Sequence, residues 1–217
     1  VKMIQTTWET QKAIKDVMLF LQSHGVSTTY AVKIYKQYGD ESIAIVTQNP
    51  YRLATDIYGI GFVTADAIAR NIGIEPHSKY RYRSGILHVL GEASEEGHCF
   101  LPQSDLIERS VQRLSLKEHQ PQAEQVEFCI RSMINDAELI GEKGLELYEG
   151  QNLYYAPPFF QAEYQLSQRL RQLLLAPVEV DLERVRRWVE RKEKKTGMVL
   201  SPQQQQAVEM ASSQRVL

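Results

Sequence analysis

A short glycine-containing pattern occurs twice in the first third of the chain and constrains its fold more than any other feature. Residues 25–31 and 59–65 both read Gly, an apolar residue, Gly or Ser, three residues of any type, and Ala, and an apolar residue follows three positions later. Glycine permits the positive φ angles of a tight turn, and a small alanine permits two helices to pack closely. Because Gly25 and Gly59 are 34 residues apart, the pattern predicts two helical hairpins related by a local pseudo-twofold axis.

The segment around the two copies has helical periodicity. Ile14, Val17, Met18 and Leu21 fall at positions i, i+3, i+4 and i+7, which places them along one side of a helix. Glycine, asparagine and proline residues separate this helix from those that follow it. We therefore expect several short helices and no strands over residues 10–75.

The repeated pattern resembles the helix-hairpin-helix family, in which small residues let the backbone turn tightly before the second helix begins. The first amides of that second helix have no partner within the helix. They can receive a phosphate oxygen, helped by the partial positive charge of the helix terminus, and such a contact reads no base. The candidate DNA-binding residues are Gly25, Val26, Ser27 and Lys33 in the first copy (hairpin 1), and Gly59, Ile60, Gly61, Thr64 and Arg70 in the second (hairpin 2).

Hairpin 2 is the better candidate, because Ser27 in hairpin 1 stands where the family usually has glycine. Hairpin 1 is therefore open to a purely structural role. Both copies could also be ordinary helix-turn-helix corners that bind nothing. Residues 79–83 then alternate cations with tyrosines, which either present rings that stack on unpaired bases or pack between domains.

The middle of the chain has the element order of a winged helix. A helix over residues 82–96 precedes a short apolar run at residues 98–101, and two more helices follow, the second over residues 122–137. Two strand candidates, residues 145–148 and 152–156, form a predicted hairpin.

The third helix of this unit favours contact with protein over contact with DNA. Carboxylates outnumber its single cation, Arg131, and this balance is unsuited to phosphates. We therefore expect the winged unit to be a spacer. The carboxylates are Glu124, Glu127, Asp136 and Glu138, and the predicted core residues are Phe128, Ile130, Ile134 and Leu139.

The last stretch contains a capped helix that also resembles a nucleotide-binding motif. Ser201 is the predicted cap, and Gln204 completes a capping box. The run Leu-Ser-x-x-Gln-x-x-Ala-Val over residues 200–208 is similar to the glutamine motif before the P-loop of superfamily 1 helicases. The resemblance makes Gln204 the reader of the adenine edge, and it makes Val216 and Leu217 the start of the strand before the P-loop. The chain contains no GxxxxGK[ST] pattern, so we expect no catalytic residues and no ATPase centre of its own.

Taken in order, these motifs resemble the N-terminal part of RecD/TraA-type helicases, the long-form relatives of the exodeoxyribonuclease V alpha subunit. The resemblance runs from about residue 10 to the end of the sequence. It implies a bacterial, cytoplasmic helicase that moves 5′ to 3′ on single-stranded DNA in repair or recombination. It also implies a small preceding domain, motor domains after this segment, and ATP and Mg²⁺ for the full-length protein but no cofactor for this segment.

The resulting expectation for the fold is a mainly α chain with three parts. They are a tandem helix-hairpin-helix over residues 1–78, a winged-helix-like α+β unit over residues 79–160, and a helical linker into the motor over residues 161–217. Cys99 and Cys129 lie far apart without metal-ligand spacing, so neither a disulfide nor a metal site is expected. No apolar run is long enough to cross a membrane.

Two functions from different classes follow. The first is a non-catalytic segment that binds single-stranded or forked DNA through its backbone, with the motor domains of the same protein as its other partner. The second is an interaction scaffold of the same helicase that does not touch DNA. A free-standing nuclease or glycosylase is disfavoured, because Asp66 and Lys79 follow the hairpin without a pocket-forming set of partners. With a formal net charge of −2, any DNA contact depends on locally placed groups.

Overall fold

The computed structural model describes residues 14–145, 148–175 and 178–214. Within these ranges the chain is mainly helical and has a small three-stranded sheet, which confirms the predicted fold class. The helices are α1 (residues 14–23), α2 (Thr28–Tyr38), α3 (Ser42–Gln48), α4 (Arg52–Asp56), α5 (Phe62–Ile72), α6 (Lys79–Glu95), α7 (Gln103–Leu114), α8 (Ala123–Asn135), α9 (Pro157–Leu175), α10 (Leu182–Thr196) and α11 (Pro202–Ser213), and the strands are β1 (Leu101–Pro102), β2 (Ile140–Lys143) and β3 (Asn152–Tyr155).

The chain divides into two compact units, residues 1–159 and residues 160–217. The first unit contains both hairpins and the sheet, and the second contains the pair α10 and α11. The predicted domain bounds at residues 78 and 160 stay predictions.

Helices α1 to α5 form the two hairpins in the predicted places. In α1 the apolar stripe is turned inward, since Val17 and Leu21 are buried and Ile14 and Met18 are half-buried. Helix α5 ends at Gly73, whose φ of 91° is the left-handed conformation that closes a helix and that glycine adopts without strain. The helical periodicity therefore placed these elements correctly.

Residues 79–155 have the topology of a winged helix. The sheet order is β1-β3-β2 with antiparallel pairing throughout, so β2 and β3 form the wing and β1 closes its inner edge. Leu101 pairs with Tyr154 and Ile140 pairs with Tyr155. The predicted order of helix, strand, helix, helix and hairpin is confirmed.

The first wing strand lies earlier than predicted. It covers Ile140–Lys143. Of the predicted strand at residues 145–148, the two described residues, Leu145 and Tyr148, are in no strand, and residues 146 and 147 lie outside the described ranges. Leu145 is in no strand and its side chain is 79% exposed. The reason is that β2, with the sequence IGEK, has no alternating apolar face of its own. Its pairing with β3 makes it a strand, and a local pattern cannot show that.

One apolar cluster runs through the first unit from Val17 to Tyr154. Helix α8 contributes Val126, Cys129, Ile130 and Met133, which follow the i, i+3, i+4, i+7 spacing of a buried stripe. The predicted core residues Ile130 and Leu139 are buried and Ile134 is half-buried. The prediction for Phe128 is wrong, because this residue is at position i+2 from Val126, which is outside the stripe, and it is 71% exposed.

In the second unit α10 packs against α11. Val189 of α10 is buried, and Arg186 pairs with Glu209 of α11 at 2.6 Å. The predicted capping box at the start of α11 is confirmed, since Ser201 and Gln204 each accept a hydrogen bond from the backbone amide of the other.

Candidate nucleic-acid interface

Hairpin 2 turns at two glycines with different tasks. Gly59 has a φ of 91°, in the left-handed region that favours glycine. Gly61 has an ordinary extended conformation, with φ −97° and ψ 179°, and caps α5 without a side chain. A Cβ atom added at Gly61 would meet nothing within 4 Å. The backbone conformation at residue 61 therefore does not require glycine. The absence of a side chain at Gly61 leaves open space in front of the first amides of α5.

The first amides of α5 are free to donate hydrogen bonds to an anion. Within the described residues, the backbone amides of Gly61, Phe62, Val63 and Thr64 have no acceptor, and the first amide of α5 that is bonded belongs to Ala65, which donates to the Gly61 carbonyl at 3.0 Å. The carbonyls that such amides would otherwise meet are absent at a helix start. Gly61 and Val63 are exposed, so the surrounding surface is open to solvent.

Hairpin 1 has the same turn but a partly occupied helix start. The Ser27 side chain accepts a hydrogen bond from the Tyr30 amide at 3.4 Å, which leaves the amides of Ser27, Thr28 and Thr29 without an acceptor in the described chain. Gly25 has a φ of 80°, and a Cβ atom there would come within 2.6 Å of the Asn71 side chain. The positive φ favours glycine at Gly25, and a larger residue there would also displace the Asn71 side chain.

The two hairpins touch through each other's second helix. From α2, the Lys33 ammonium donates to the Tyr58 carbonyl at 3.0 Å and the Tyr30 hydroxyl donates to the Gly59 carbonyl at 3.1 Å. From the end of α5, the Asn71 side chain donates to the His24 carbonyl at 3.0 Å. These contacts hold the two turns side by side on one unit.

Three of the predicted DNA-binding residues have backbone amides that are already hydrogen-bonded within the protein. Val26 and Ile60 are buried apolar anchors whose amides donate to the carbonyls of Leu21 and Ile57, at 3.0 and 3.1 Å. The Gly25 amide likewise donates to the Gln22 carbonyl at 3.1 Å. These three residues shape the turns, and they offer no free amide to a ligand.

Three other predicted residues keep polar groups near the surface. Lys33 is exposed and uses one of its three N–H donors on Tyr58. Arg70 is exposed and lies 3.8 Å from the Asp66 carboxylate. Thr64 provides both a free amide and a hydroxyl in the first turn of α5.

The predicted basic cluster at residues 79–83 is not a basic surface. Arg81 is 1% exposed and donates to both carboxylate oxygens of Asp66, at 2.8 and 3.3 Å. Arg83 pairs with Asp136 and Glu138. Only Lys79 keeps an exposed position among the three cations. Both arginines pair with carboxylates that are distant in sequence, so the local run of charges could not predict these ion pairs.

The two tyrosines of the cluster differ. Tyr82 is buried and its hydroxyl lies 2.9 Å from the His119 ring, so it packs inside the first unit. Tyr80 is half-buried beneath Lys79, whose ammonium is 5.1 Å from the ring centre. The packing alternative is therefore correct for Tyr82.

Asp66 has a structural environment. Its carboxylate accepts hydrogen bonds from the Tyr51 hydroxyl at 2.7 Å and from Arg81, and Arg81 also donates to the Leu114 carbonyl at 2.8 Å. Burial, the hydrogen bond to Asp66 and its negative charge raise the pKa of Tyr51. With its oxygens engaged in this way, Asp66 joins α5 to α6 and α7 and is not placed to act on a substrate.

Sequence reasoning missed Tyr58, which sits beside hairpin 2 and is 97% exposed. Its carbonyl is held by Lys33 while its ring projects into solvent. An aromatic residue before the turn glycine was the available signal. A ring in this position can stack on a base next to a phosphate held by the α5 amides.

The second unit contains the residue assigned to adenine. The Gln204 side-chain oxygen accepts the Ser201 amide at 2.9 Å, and within the described residues its side-chain nitrogen has no hydrogen-bond partner. The amide edge therefore keeps a donor and one oxygen lone pair for a purine. Val216 and Leu217, the predicted strand start, lie outside the described residues.

Over residues 14–145, 148–175 and 178–214, no group of three or more His, Cys, Asp or Glu side chains is placed to hold a metal ion. No helix in the same ranges is both long and apolar enough to cross a membrane.

Two helical hairpins that turn at Gly-apolar-small motifs, packed on a winged helix, define the first unit as a helix-hairpin-helix protein. Such domains generally bind nucleic acids. Residues 10–100 match the family described as the ATP-dependent RecD2 DNA helicase HHH domain. The matched residues include both hairpins and α6. This part of the chain is therefore similar to a helicase-associated helix-hairpin-helix domain, which confirms the predicted resemblance to the N-terminal region of RecD-type helicases.

Proposed function

We propose that this chain is the non-catalytic DNA-binding part of an ATP-dependent 5′ to 3′ DNA helicase of superfamily 1 that acts in repair or recombination. Hairpin 2 holds one backbone phosphate of single-stranded or forked DNA in front of α5. The observation that carries the proposal is the set of free amides from Gly61 to Thr64. Amides at a helix start provide both hydrogen bonds and a favourable dipole for a phosphate.

The surroundings of hairpin 2 support the same role. Tyr58 offers an exposed ring beside the amides, and Lys33 and Arg70 retain exposed charge. Hairpin 1, whose Ser27 side chain already occupies the Tyr30 amide, contributes fewer free amides. We therefore assign the stronger phosphate contact to hairpin 2 and a supporting role to hairpin 1.

In the full-length helicase, ATP and Mg²⁺ would drive the motor domains, and Gln204 would contact the adenine through the free part of its amide. The present chain would then position the DNA strand while the motor moves it. Helicase action in repair or recombination, and the motor domains as partners, belong to this proposal.

Substitution of Thr64 by Glu tests the hairpin 2 contact. A carboxylate in the first turn of α5 is favourable for the helix, because it interacts with the positive end of the dipole. It also repels a phosphate from the free amides. We expect Thr64→Glu to fold normally and to weaken binding of a fluorescent oligothymidine at least about tenfold, since hydrogen bonds to charged groups contribute about 1.5–3 kcal/mol.

The measurement is fluorescence anisotropy on single-stranded and forked oligonucleotides over a salt series from roughly 50 to 200 mM, where phosphate contacts weaken steeply. Gln37→Glu is the matched control, because it adds the same charge on the exposed surface of α2. Gly61→Val is a second variant, since a Cβ atom there meets nothing within 4 Å and the valine side chain would fill the space before the amides. Equal affinity of a folded Thr64→Glu and the Gln37→Glu control contradicts the proposal.

The scaffold function is favoured by one observation on α8. Phe128 is 71% exposed on the helix that a DNA-binding winged fold would present to a groove, and Glu124 is exposed on the same helix. An acidic helix with an exposed ring suits a protein partner better than a phosphate backbone. Hydrogen exchange distinguishes the two functions. The scaffold function predicts that the α8 amides are more protected in the full-length helicase than in this chain. It also predicts that addition of DNA does not protect the amides of hairpin 2.

A further inference from the structure

Helix α10 is the most basic element of a chain whose formal net charge is −2. Seven of its fifteen residues are Lys or Arg and three are Glu. The two signs are segregated around the helix. Positions i, i+3, i+4, i+7, i+8 and i+11 from residue 184 form one face, which we call the basic stripe, and no carboxylate interrupts it. Its members are Arg184, Arg187, Trp188, Arg191, Lys192 and Lys195.

The opposite side of α10 is occupied by α11. Val189 is buried there, Arg186 pairs with Glu209, and Glu193 accepts hydrogen bonds from the Leu200 amide at 2.7 Å and the Gln205 side chain at 3.4 Å. Glu183 lies 3.3 Å from Arg186. These contacts fix the orientation of α10 within the second unit, so the basic stripe faces solvent.

The cations of the basic stripe are exposed, and none of them has a carboxylate within 4 Å in the described part of the chain. Arg187 and Arg191 donate only their Nε atoms, to the carbonyls of Glu183 and Arg187, which leaves the terminal nitrogens of both guanidinium groups available. The arginines at 184, 187 and 191 line one surface pocket of about 460 Å³ together with a single carboxylate residue, Glu190. Three arginines in the first unit differ, since Arg52, Arg81 and Arg83 all have carboxylate partners.

Trp188 lies among the cations of the basic stripe. Its ring is 51% exposed, and the Lys192 ammonium lies 5.4 Å from the ring centre. A large ring left in solvent among unpaired guanidinium groups provides a surface on which a base can stack while adjacent phosphates meet the arginines. Successive turns of the helix repeat the cations at about 5.4 Å along the axis.

We propose that the basic stripe of α10 is a second nucleic-acid site, which binds single-stranded DNA or RNA through phosphate contacts to Arg184, Arg187 and Arg191 and stacks a base on Trp188. Arginine suits this task because its planar group donates to phosphate oxygens in pairs. The site is independent of hairpin 2, and it needs no sequence recognition, because stacking and phosphate contact are available to every base.

The test uses the 217-residue chain with Trp8→Phe, so that Trp188 is the only tryptophan. Addition of oligothymidine should quench the Trp188 fluorescence. Combined substitution of the three arginines by Gln should weaken this binding about tenfold or more and lower the slope of log affinity against log salt by about 2, at roughly 0.7 per phosphate. Arg186→Gln is the matched control, because it removes a paired charge from the other side of the same helix.

Two further arms separate other anionic partners. Vesicles of phosphatidylserine and phosphatidylcholine that shift the Trp188 emission, with no quenching by oligothymidine, overturn the proposal in favour of a membrane surface. Competition by polyglutamate as strong as that by oligothymidine of equal charge overturns it in favour of an acidic protein partner. Equal salt slopes for the triple variant and Arg186→Gln also overturn it, provided that circular dichroism shows both to be folded.

The hairpin 2 variant distinguishes failure of this proposal from failure of the proposed function. Thr64→Glu changes no residue of the second unit, so it should leave quenching of Trp188 unchanged. Quenching that persists in Thr64→Glu and disappears in the arginine variant supports a separate site. Quenching that disappears in Thr64→Glu and persists in the arginine variant overturns it.

Discussion

Arg81 and Cys129 illustrate how the fold changes the chemistry of single residues. Arg81 belongs to a basic sequence run, yet it is 1% exposed and satisfied by Asp66 and the Leu114 carbonyl. A buried charge with these partners has no free energy to gain from a phosphate, because it is already desolvated and paired. Charge on this protein therefore has to be counted by exposure and pairing, and by that count α10 has more exposed, unpaired cations than residues 79–83, where Lys79 alone is exposed.

The two cysteines should differ strongly in reactivity. Cys99 is exposed, whereas burial raises the pKa of the Cys129 thiol to about 11. Because the thiolate is the nucleophile, Cys129 is almost entirely unreactive at about pH 8. We expect Ellman's reagent to modify one thiol rapidly in the folded protein and the second only in denaturant. The Cys99→Ser variant should show no rapid phase, and a rapid reaction in that variant would contradict the burial of Cys129.

Among the elements, the two hairpins share a pattern but differ at the helix start. Ser27 caps α2 with its side chain, while Gly61 caps α5 with backbone alone. The serine stabilises its own helix and occupies an amide that a phosphate would use. Under the proposed function, the serine of hairpin 1 therefore stabilises α2 at the cost of one amide that could contact a phosphate.

Substitutions at Ser27 should separate these two effects. Ser27→Ala removes the cap and should lower the free energy of unfolding by about 1 kcal/mol, whereas Ser27→Gly should cost only about a few tenths. Ser27→Gly also frees the Tyr30 amide, so its affinity for oligothymidine should equal or exceed that of the unmodified chain. Urea denaturation and anisotropy measure the two quantities. A Ser27→Gly variant with normal stability and weaker DNA binding would argue against a phosphate contact by the backbone of hairpin 1.

At the scale of the whole molecule, the first unit is tied together by a polar junction inside a continuous apolar core. The core runs from α1 to β3, and Asp66 on α5 meets Arg81 on α6, which in turn reaches the end of α7. The hairpins and the winged helix therefore share their interior. We expect residues 14–159 to unfold as one cooperative unit, because separation would expose apolar residues on both sides.

Asp66→Asn should destabilise both halves of the first unit together. Loss of one partner leaves the Arg81 charge buried and unpaired, at a cost of about 3–5 kcal/mol. Hydrogen exchange should show the same loss of protection in α2 and in α8. Glu127→Gln is the control, because it removes the charge of a half-buried carboxylate that pairs with the exposed Arg131 and should cost about 1 kcal/mol or less. A loss confined to the hairpins would mean that the two halves unfold independently.

Much of the fold was readable because it depends on local spacing. The Gly-apolar-small repeat located both hairpins, the i, i+3, i+4 stripe gave α1, and the Ser201 capping box placed the start of α11. Each of these signals acts within a few residues, so a single sequence is sufficient to show it. The free amides of α5 follow from the same local geometry.

Long-range partners are what only the tertiary structure decided. The burial of Arg81 depends on Asp66, the identity of β2 depends on β3, and the exposure of Phe128 depends on which face of α8 the core accepts. Pairing and burial join residues far apart in the chain, and their energies are set by neighbours that no local pattern specifies. The sequence alone thus determined the turns and helix starts that can meet a phosphate, while packing determined which charges remain free to attract one.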